Sequence, residues 1–577
     1  MITSRQLAVR HRYLHVPVRY DARAGLMRVS ADGAQILKFA AKVTAGPADY
    51  VTFADLATCQ GQTIEVSFDS GADPGVPLDG LALADTLPDA DSIYRERYRP
   101  QFHFSSRRGF INDPNGLVYF AGEYHLFYQH QPFGTDIGHD LKFWGHAVSR
   151  DLVHWEELPA ALAPDEHGAM YSGSAVVDWH NTSGLQSGND PALVALYTAD
   201  GRSADEERPF TQCLAYSNDR GRTWCKHPDN PVLPHIAGLN RDPRVFWHQP
   251  HGCWVMVLYL DGDQFAIFTS PNLRDWTRRN EVRLPTHSCP DLFQLAVDGN
   301  PDDLRWVLWA ADTRYLVGSF DGERFVADAL HVGGVELRQQ PRGTAYAAQT
   351  WSDVPADDGR VLQIAWLRTT PPGMPFTHCM TLPCELALRS TPGGVRLCSS
   401  PARELQTLRR EHRRWRGLVL DPDAVPPPAA PFSGVPARYG DWGIHPLARI
   451  QDTAEVMIEI APGGADCVAV VLRGIWIVYD ARAHRLSCAV GRLGSADTSE
   501  VAIDLERGLL CLHILLDRAS IEVFGAGGAA VVPLGVVPAD DAHELAVAAR
   551  GGCARVRCLD LWRLASIWNK ESGTRSD

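Results

Sequence analysis

Two short phrases in this chain place a carboxylate where it can react rather than support a fold. The first is RRGFINDPNGLVYF (107–120), which carries Asn112 and Asp113. Pro fixes φ and Asn-Gly accepts the left-handed conformation, so Asn112–Gly116 is expected to form a tight turn. Apolar Phe110 and Ile111 precede it, and Leu117–Phe120 follow as a strand. A carboxylate held there by backbone and Asn donors stays ionised and can act as a nucleophile. The second phrase, Asn240-Arg241-Asp242-Pro243, has the same layout ahead of the strand RVFW and supplies a second carboxylate with Arg241 beside it. Tyr171-Ser172-Gly173-Ser174 and Trp144-Gly145-His146 open two further strands. In LPTHSCPDLFQL (284–295) the single carboxylate is Asp291.

Elements that bring such phrases together are visible along the chain. YHLFYQH, ALVALYT, CWVMVLYL, QFAIFTS, RWVLWAA, YLVGSF and VLQIAWL are short β-branched or aromatic runs bounded by turn residues. No helix of three turns is expected in the central region. A phrase of serine, Asx-type turn and aromatic recurs as SRDLVHW (149–155), SNDRGRTW (217–224) and SPNLRDW (270–276), with a fainter echo in FDGERF (320–325). Return of such a unit roughly every 50 to 70 residues is the mark of propeller blades. The chain therefore reads as all-β, a five-bladed β-propeller followed by a C-terminal β-sandwich, with a small N-terminal β-domain. The expected bounds are 1–95 for the N-terminal domain, 96–405 for the propeller, 406–434 for a linker and 435–570 for the sandwich. RREHRRWR (409–416) and the proline-rich DPDAVPPPAAPF (421–432) belong to that linker. Asp113 would sit at the inner end of a first strand, where blades converge on an axial funnel.

Composition narrows the function classes. The 577 residues exceed one core, and 45% hydrophobic with 21% charged residues is ordinary for a globular protein. A net charge of −14 without a basic stripe argues against nucleic-acid and anionic-membrane partners. Thirteen cysteines, with no zinc-ligand spacing, suggest free thiols in a reducing compartment. No apolar run suits a signal peptide or a membrane span, so a cytoplasmic location is expected. TDIGHD (135–140) lacks a complete ligand set; no metal and no cofactor is assigned.

The phrases NDPNG, YSGS, RDP and CPD, in that order, resemble those of the fructan-acting glycoside hydrolase family 32. The resemblance extends through WGHAVSRDLVHWEELPAAL, AYSNDRGRTW, PPGMPF…MTLPCELALR and DRASIEVFG (517–525), over most of residues 98–570. It implies a retaining hydrolase or transglycosidase of β-fructofuranosides such as fructo-oligosaccharides, levan, inulin or sucrose. Asp113 would match the nucleophile and Asp242 the carboxylate that holds sugar hydroxyls and stabilises the transition state. Asn112, Gln129, Trp144, Tyr171, Ser172, Arg241 and Asp291 would line the sugar site. Trp155, Trp224 and Trp276 recur with the blade unit and are read as structural.

One departure stands out. The family's acid/base is a glutamate in Glu-Cys-Pro-Asp, and here the phrase is Ser288-Cys289-Pro290-Asp291. A serine hydroxyl is far too weak an acid for that task. Three readings stay open. Another group donates the proton: His287, Asp291 or Glu336, although neighbours on a strand point to opposite faces and would turn His287 away. Alternatively the substrate needs no strong acid, or transfer is favoured. Or the protein binds or senses fructans with little turnover. A furanosidase of the same architecture acting on another sugar is a further alternative.

Overall fold

A computed structural model describes the chain except residues 72–74, 137–140, 202–208, 329–336, 339–344, 392, 424–441, 491–498 and 569–577. Strands dominate, and the described helices are short 3-10 turns such as Ala57–Cys59. Five antiparallel sheets of four principal strands form the propeller. Their innermost strands are Gly109–Phe120, Met170–Asp178, Arg241–His248, Asp291–Ala296 and Ala345–Thr350. The ring closes where the backbone of Ser352, just after the fifth inner strand, exchanges hydrogen bonds with Leu117 and Tyr119 of the first. A short segment, Phe376–Thr377, adds to the first sheet in parallel beside Gly109 and Phe110.

The recurring phrase now has a location. SRDLVHW, SNDRGRTW, SPNLRDW and FDGERF each join the third and fourth strands of a blade. Their Asx side chains close the turns: Asp151 accepts from the backbone N–H of Val153 and His154, and Asn272 from Arg274 and Asp275. The indoles of Trp224 and Trp276 donate to Gly221 and Leu273 within the same turns, so these tryptophans serve the blades. The fifth blade makes this connection through Thr391–Gly394 and lacks the phrase.

Neither NDPNG nor NRDP is a turn. Both lie at the start of continuous inner strands as β-bulges, with register shifts between Ile111 and Pro114 and between Arg241 and Arg244. Pro cannot donate into a ladder, and Gly116 has a φ of 55°, so the strand bulges instead of reversing. A Cβ on Gly116 would meet Phe127 at 2.7 Å and Trp144 at 3.0 Å, which leaves glycine as the residue that fits. Matching shifts occur between Met170 and Gly173 and between Tyr346 and Gln349. Four inner strands are thus bulged at the same end of the ring. A bulge breaks the two-residue alternation and re-aims side chains.

The flanking units are two small sheets at the N-terminus and two six-stranded sheets at the C-terminus. The strands Tyr13–Val18 and Thr63–Asp69 alternate buried with half-buried or exposed residues as their sequence suggests. The N-terminal unit packs on the segment that follows the second strand of the first blade: Phe39 stacks on Phe133, and Thr52 donates to the carbonyl of Pro132. In the sandwich, the inner faces of both sheets share one aliphatic core that includes Val456, Ile477, Ile514 and Val547.

One expected boundary is corrected. RREHRRWR is not linker but part of the strand Arg409–Leu420, which pairs with Ala554–Leu564 at the edge of one sandwich sheet. Its charged, largely exposed side chains suit an edge, where they discourage pairing with a second chain. Most of DPDAVPPPAAPF lies outside the described residues.

Candidate active site

All five inner strands deliver residues to the bulged end of the ring from their N-terminal ends or the three residues before them: Asn112 and Asp113, Tyr171 and Ser172, Arg241 and Asp242, Ser288 and Cys289, and Tyr346. In a regular strand, neighbours face opposite ways. Because the first strand is bulged, Asn112 and Asp113 act together: the Asn112 amide donates to Asp113 Oδ1 at 3.1 Å. The Ser172 hydroxyl donates to Asp113 Oδ2 at 2.8 Å and accepts from Gln129 Nε2 at 2.6 Å. Gln129 Oε1 accepts from Asn112 at 2.6 Å, and Lys142 Nζ donates to Asn112 Oδ1 at 2.7 Å. Every donor in this network orients the Asp113 carboxylate or the amide that holds it.

Asp242 sits in the left-handed region, with φ of 64°, at the bulge of the third strand. Its backbone N–H donates to Thr198 Oγ1 at 2.9 Å, and its Oδ2 accepts from the Cys289 N–H at 3.0 Å. The Arg241 guanidinium lies 3.4 Å from the same oxygen and over the Tyr259 ring. Burial raises the Asp242 pKa above the ordinary carboxylate value; Asp113 adds to that rise and Arg241 opposes it. The Cys289 thiol lies between the two carboxylates, 3.6 Å from Asp113 Oδ2 and 3.5 Å from Asp242 Oδ2. Burial, then the charges of Asp242 and Asp113, push its pKa well above the usual thiol value, so it remains an S–H donor.

Ser288 and His287 precede the fourth inner strand rather than lying in it, and Ser288 and Cys289 have φ of 58° and 42°. The strand argument against His287 therefore does not apply. Ser288 Oγ and His287 Nε2 are each 3.0 Å from the Tyr346 hydroxyl. His287 is exposed and Ser288 buried.

Two expected site residues are placed elsewhere. Asp291 is fully buried, 2.8 Å from the Arg244 guanidinium, and accepts the Thr350 N–H at 2.7 Å. It joins the third, fourth and fifth inner strands instead of meeting a sugar. Trp144 is 1% exposed, packs among Val118, Ala175 and Tyr197, and donates its indole N–H to the Tyr171 carbonyl at 2.9 Å. It supports the wall and offers no ring face to a ligand. Tyr171 is half-buried, edge-on to Phe210. Glu336 lies outside the described residues, as do the last four residues of TDIGHD.

Lys142, Cys289 and Tyr346 were not picked out from sequence. Cys289 lay inside a quoted phrase, and Tyr346 could have been found as the start of the fifth inner strand. Lys142 had no local signal.

Residues 103–401 match the glycosyl hydrolases family 32 N-terminal domain and residues 447–563 the family's C-terminal domain. The chain belongs to glycosyl hydrolase family 32. A levanase of Bacillus subtilis is 37% identical over 525 residues, covering 85% of this chain and 74% of that one. A levanase of Bacillus sp. strain L7 is 32% identical over 560 residues, covering 88% of this chain and 57% of its own length. The crystal structure of an exo-inulinase from Aspergillus awamori superposes with a TM-score of 0.72 at 27% identity, covering 82% of this chain and all of that one. Both catalytic-domain match and sandwich match fall on the sheets described above. The family 32 propeller therefore places Asp113 and Asp242 at one end of its axis, on either side of the Cys289 thiol.

Proposed function

We propose that this family 32 member is a retaining β-fructofuranoside hydrolase or transglycosidase with Asp113 as nucleophile. The observation that carries the reading is the pairing of Asp113 and Asp242 across Cys289, with Asp113 oriented by Asn112 and Ser172. Asp113 attacks C2 of a terminal fructosyl unit, the bond from C2 to the leaving oxygen breaks, and water or a second sugar then releases the fructosyl group. Asp242 and Arg241 bind the ring hydroxyls and offset positive charge developing at C2. Similarity to levanases and an exo-inulinase supports fructans as substrates. Thirteen unpaired cysteines fit a reducing, cytoplasmic location. The test is fructose release from sucrose, 1-kestose, inulin and levan; a protein that releases none of them under any pH from 4 to 9 is not this enzyme.

Ser288 favours a second reading, a fructan-binding protein with little turnover. Ser288→Glu separates the two. If the site merely lost its acid, the substitution raises fructose release on the order of 10²-fold or more. If a donor is already present, it adds little.

The raised Asp242 pKa sets a pH expectation. Its charged form is lost on acidification at a pH above the ordinary carboxylate value near 4. The acid limb of the kcat/KM profile should accordingly lie above that value; a limb at or below about 4 would contradict the assignment.

A further inference from the structure

The serine at position 288 leaves the leaving oxygen without a carboxylic acid, yet the same corner holds an organised set of donors. Tyr346 stands at the start of the fifth inner strand, half-buried, with its hydroxyl 3.0 Å from Ser288 Oγ and 3.0 Å from His287 Nε2. A phenol oxygen accepts two hydrogen bonds and donates one. Both distances allow Ser288 O–H and His287 Nε2–H to donate to it, and in that arrangement the Tyr346 proton is free to point into the pocket. A serine is shorter than a glutamate by a methylene and a carboxyl group, and the phenol oxygen lies within hydrogen-bond reach of the truncated side chain.

The charged and titratable groups around Tyr346 come from four other blades or loops. Arg368 lies over its ring at 4.9 Å. Asp113, Asp242 and Arg241 are near enough for their charges to act on it. Its partner Ser288 is followed in the chain by Cys289, whose thiol touches both carboxylates, so Tyr346 stands at the same end of the ring as they do. Burial, with Cys289 and the carboxylates, raises its pKa, while the Ser288 hydrogen bond lowers it. The phenol is thus protonated but a weaker acid than an ordinary phenol, so it can give up its proton only as another is supplied to it, and His287 is the group placed to supply one.

We propose that Tyr346 is the catalytic proton donor of this chain, recharged by the exposed His287 and assisted by Ser288. This rests on the fructosidase reading above. As Asp113 bonds to C2 and the leaving oxygen departs, that oxygen takes the Tyr346 proton, and the His287 imidazolium passes its Nε2 proton to the phenolic oxygen. Ser288 donates a hydrogen bond to that oxygen as negative charge builds on it. In the second half, water attacks C2 of the fructosyl ester and gives its proton to Tyr346, which returns its own to His287. Asp113 leaves as the carboxylate, free fructose departs and His287 is again an imidazolium. Every proton is accounted for within the three side chains and the substrate.

The test compares sucrose, whose leaving group needs a proton, with fructosyl fluoride, whose leaving group does not. Tyr346→Phe keeps the ring and removes the proton. It should lower kcat/KM for sucrose by about 10²–10⁴-fold, with a much smaller loss of kcat/KM on fructosyl fluoride, because kcat/KM reports formation of the ester and not the second half, in which Tyr346 serves both substrates. Activity on the fluoride also reports that the variant is folded. His287→Gln should lower kcat/KM for sucrose, again with a much smaller loss on fructosyl fluoride. Equal losses of kcat/KM on both substrates would make Tyr346 a structural residue and overturn the relay. So would Tyr346→Phe cleaving sucrose as the unaltered protein does. Failure of the unaltered protein to cleave either substrate would instead overturn the fructosidase reading, and the relay with it.

Discussion

Asp113→Asn eliminates fructose release from every substrate the unaltered protein cleaves, with kcat falling by at least about 10⁴-fold. The amide keeps the size of the carboxylate and its one oxygen can still accept from Ser172 or from Asn112, so the fold and the sugar pocket survive. What is lost is the nucleophile itself. Unlike loss of a proton donor, loss of the bond-forming atom should hit sucrose and fructosyl fluoride alike, because both routes pass through the ester at Asp113. A residual rate above about a hundredth of the original would mean that another group attacks C2 or that water does so directly. Retained binding of 1-kestose by Asp113→Asn, measured by calorimetry, would show that the pocket is intact.

The second large effect concerns stability. His103 is fully buried where the propeller begins, with Nδ1 2.8 Å from Asp517 and Nε2 2.9 Å from Glu522 of the sandwich. Asp517 also accepts the backbone N–H groups of Gln101 and Phe102, and Glu522 that of Leu382. The two carboxylates therefore hold both ends of the propeller chain against the sandwich. Burial alone would lower the His103 pKa; its two acidic partners outweigh that and raise it to about 9. Burial alone would raise Asp517, and His103 with the backbone donors holds it below the ordinary value.

Asp517→Ala leaves a buried imidazole with one acidic partner and orphans backbone N–H groups, those of Gln101 and Phe102 among them, and should cost about 3–5 kcal/mol. Thermal scans of the two proteins measure it, and a loss under about 1 kcal/mol would contradict the latch. The pH dependence follows from the two shifts. A raised histidine contributes stability that is complete below about 6.5 and is lost as pH rises through about 9. The depressed Asp517 contributes stability above the ordinary carboxylate value and loses it as pH falls through its lowered pKa. Apparent stability should therefore plateau in the mildly acidic range and fall on both sides.

Much of the site was legible because its residues lie in short, chemically unusual phrases. Asn112, Asp113, Ser172, Arg241 and Asp242 were each named from local sequence, and the structure gathers them at one end of the ring. The shape of those phrases was not legible. Pro and Asn-Gly signal a break in regular strand, and a bulge breaks a strand as well as a turn does; only the partner strand decides between them. Burial was equally hidden. Asp291 and Trp144 carry groups that suit a sugar, but whether such a group faces ligand or core depends on strands far away in sequence, such as the one bearing Arg244.

Partners separated along the chain left no mark at all. His103 and Asp517 are 414 residues apart, and Tyr346 is 58 from Ser288. DRASIEVFG was recognised as a family phrase, yet the reason for its Asp517 and Glu522 appears only when the sandwich meets the propeller. The RREHRRWR run was misread because an exposed edge strand rich in arginine has the composition of a linker.

The most direct test of the account is to find where fructose becomes attached. Rapid acid quench of the enzyme during turnover of fructosyl fluoride, followed by digestion and mass spectrometry, should show one fructosyl unit on the peptide that carries Asp113. The same unit on any other residue, or release of the inverted anomer with no adduct on Asp113, would contradict the retaining mechanism.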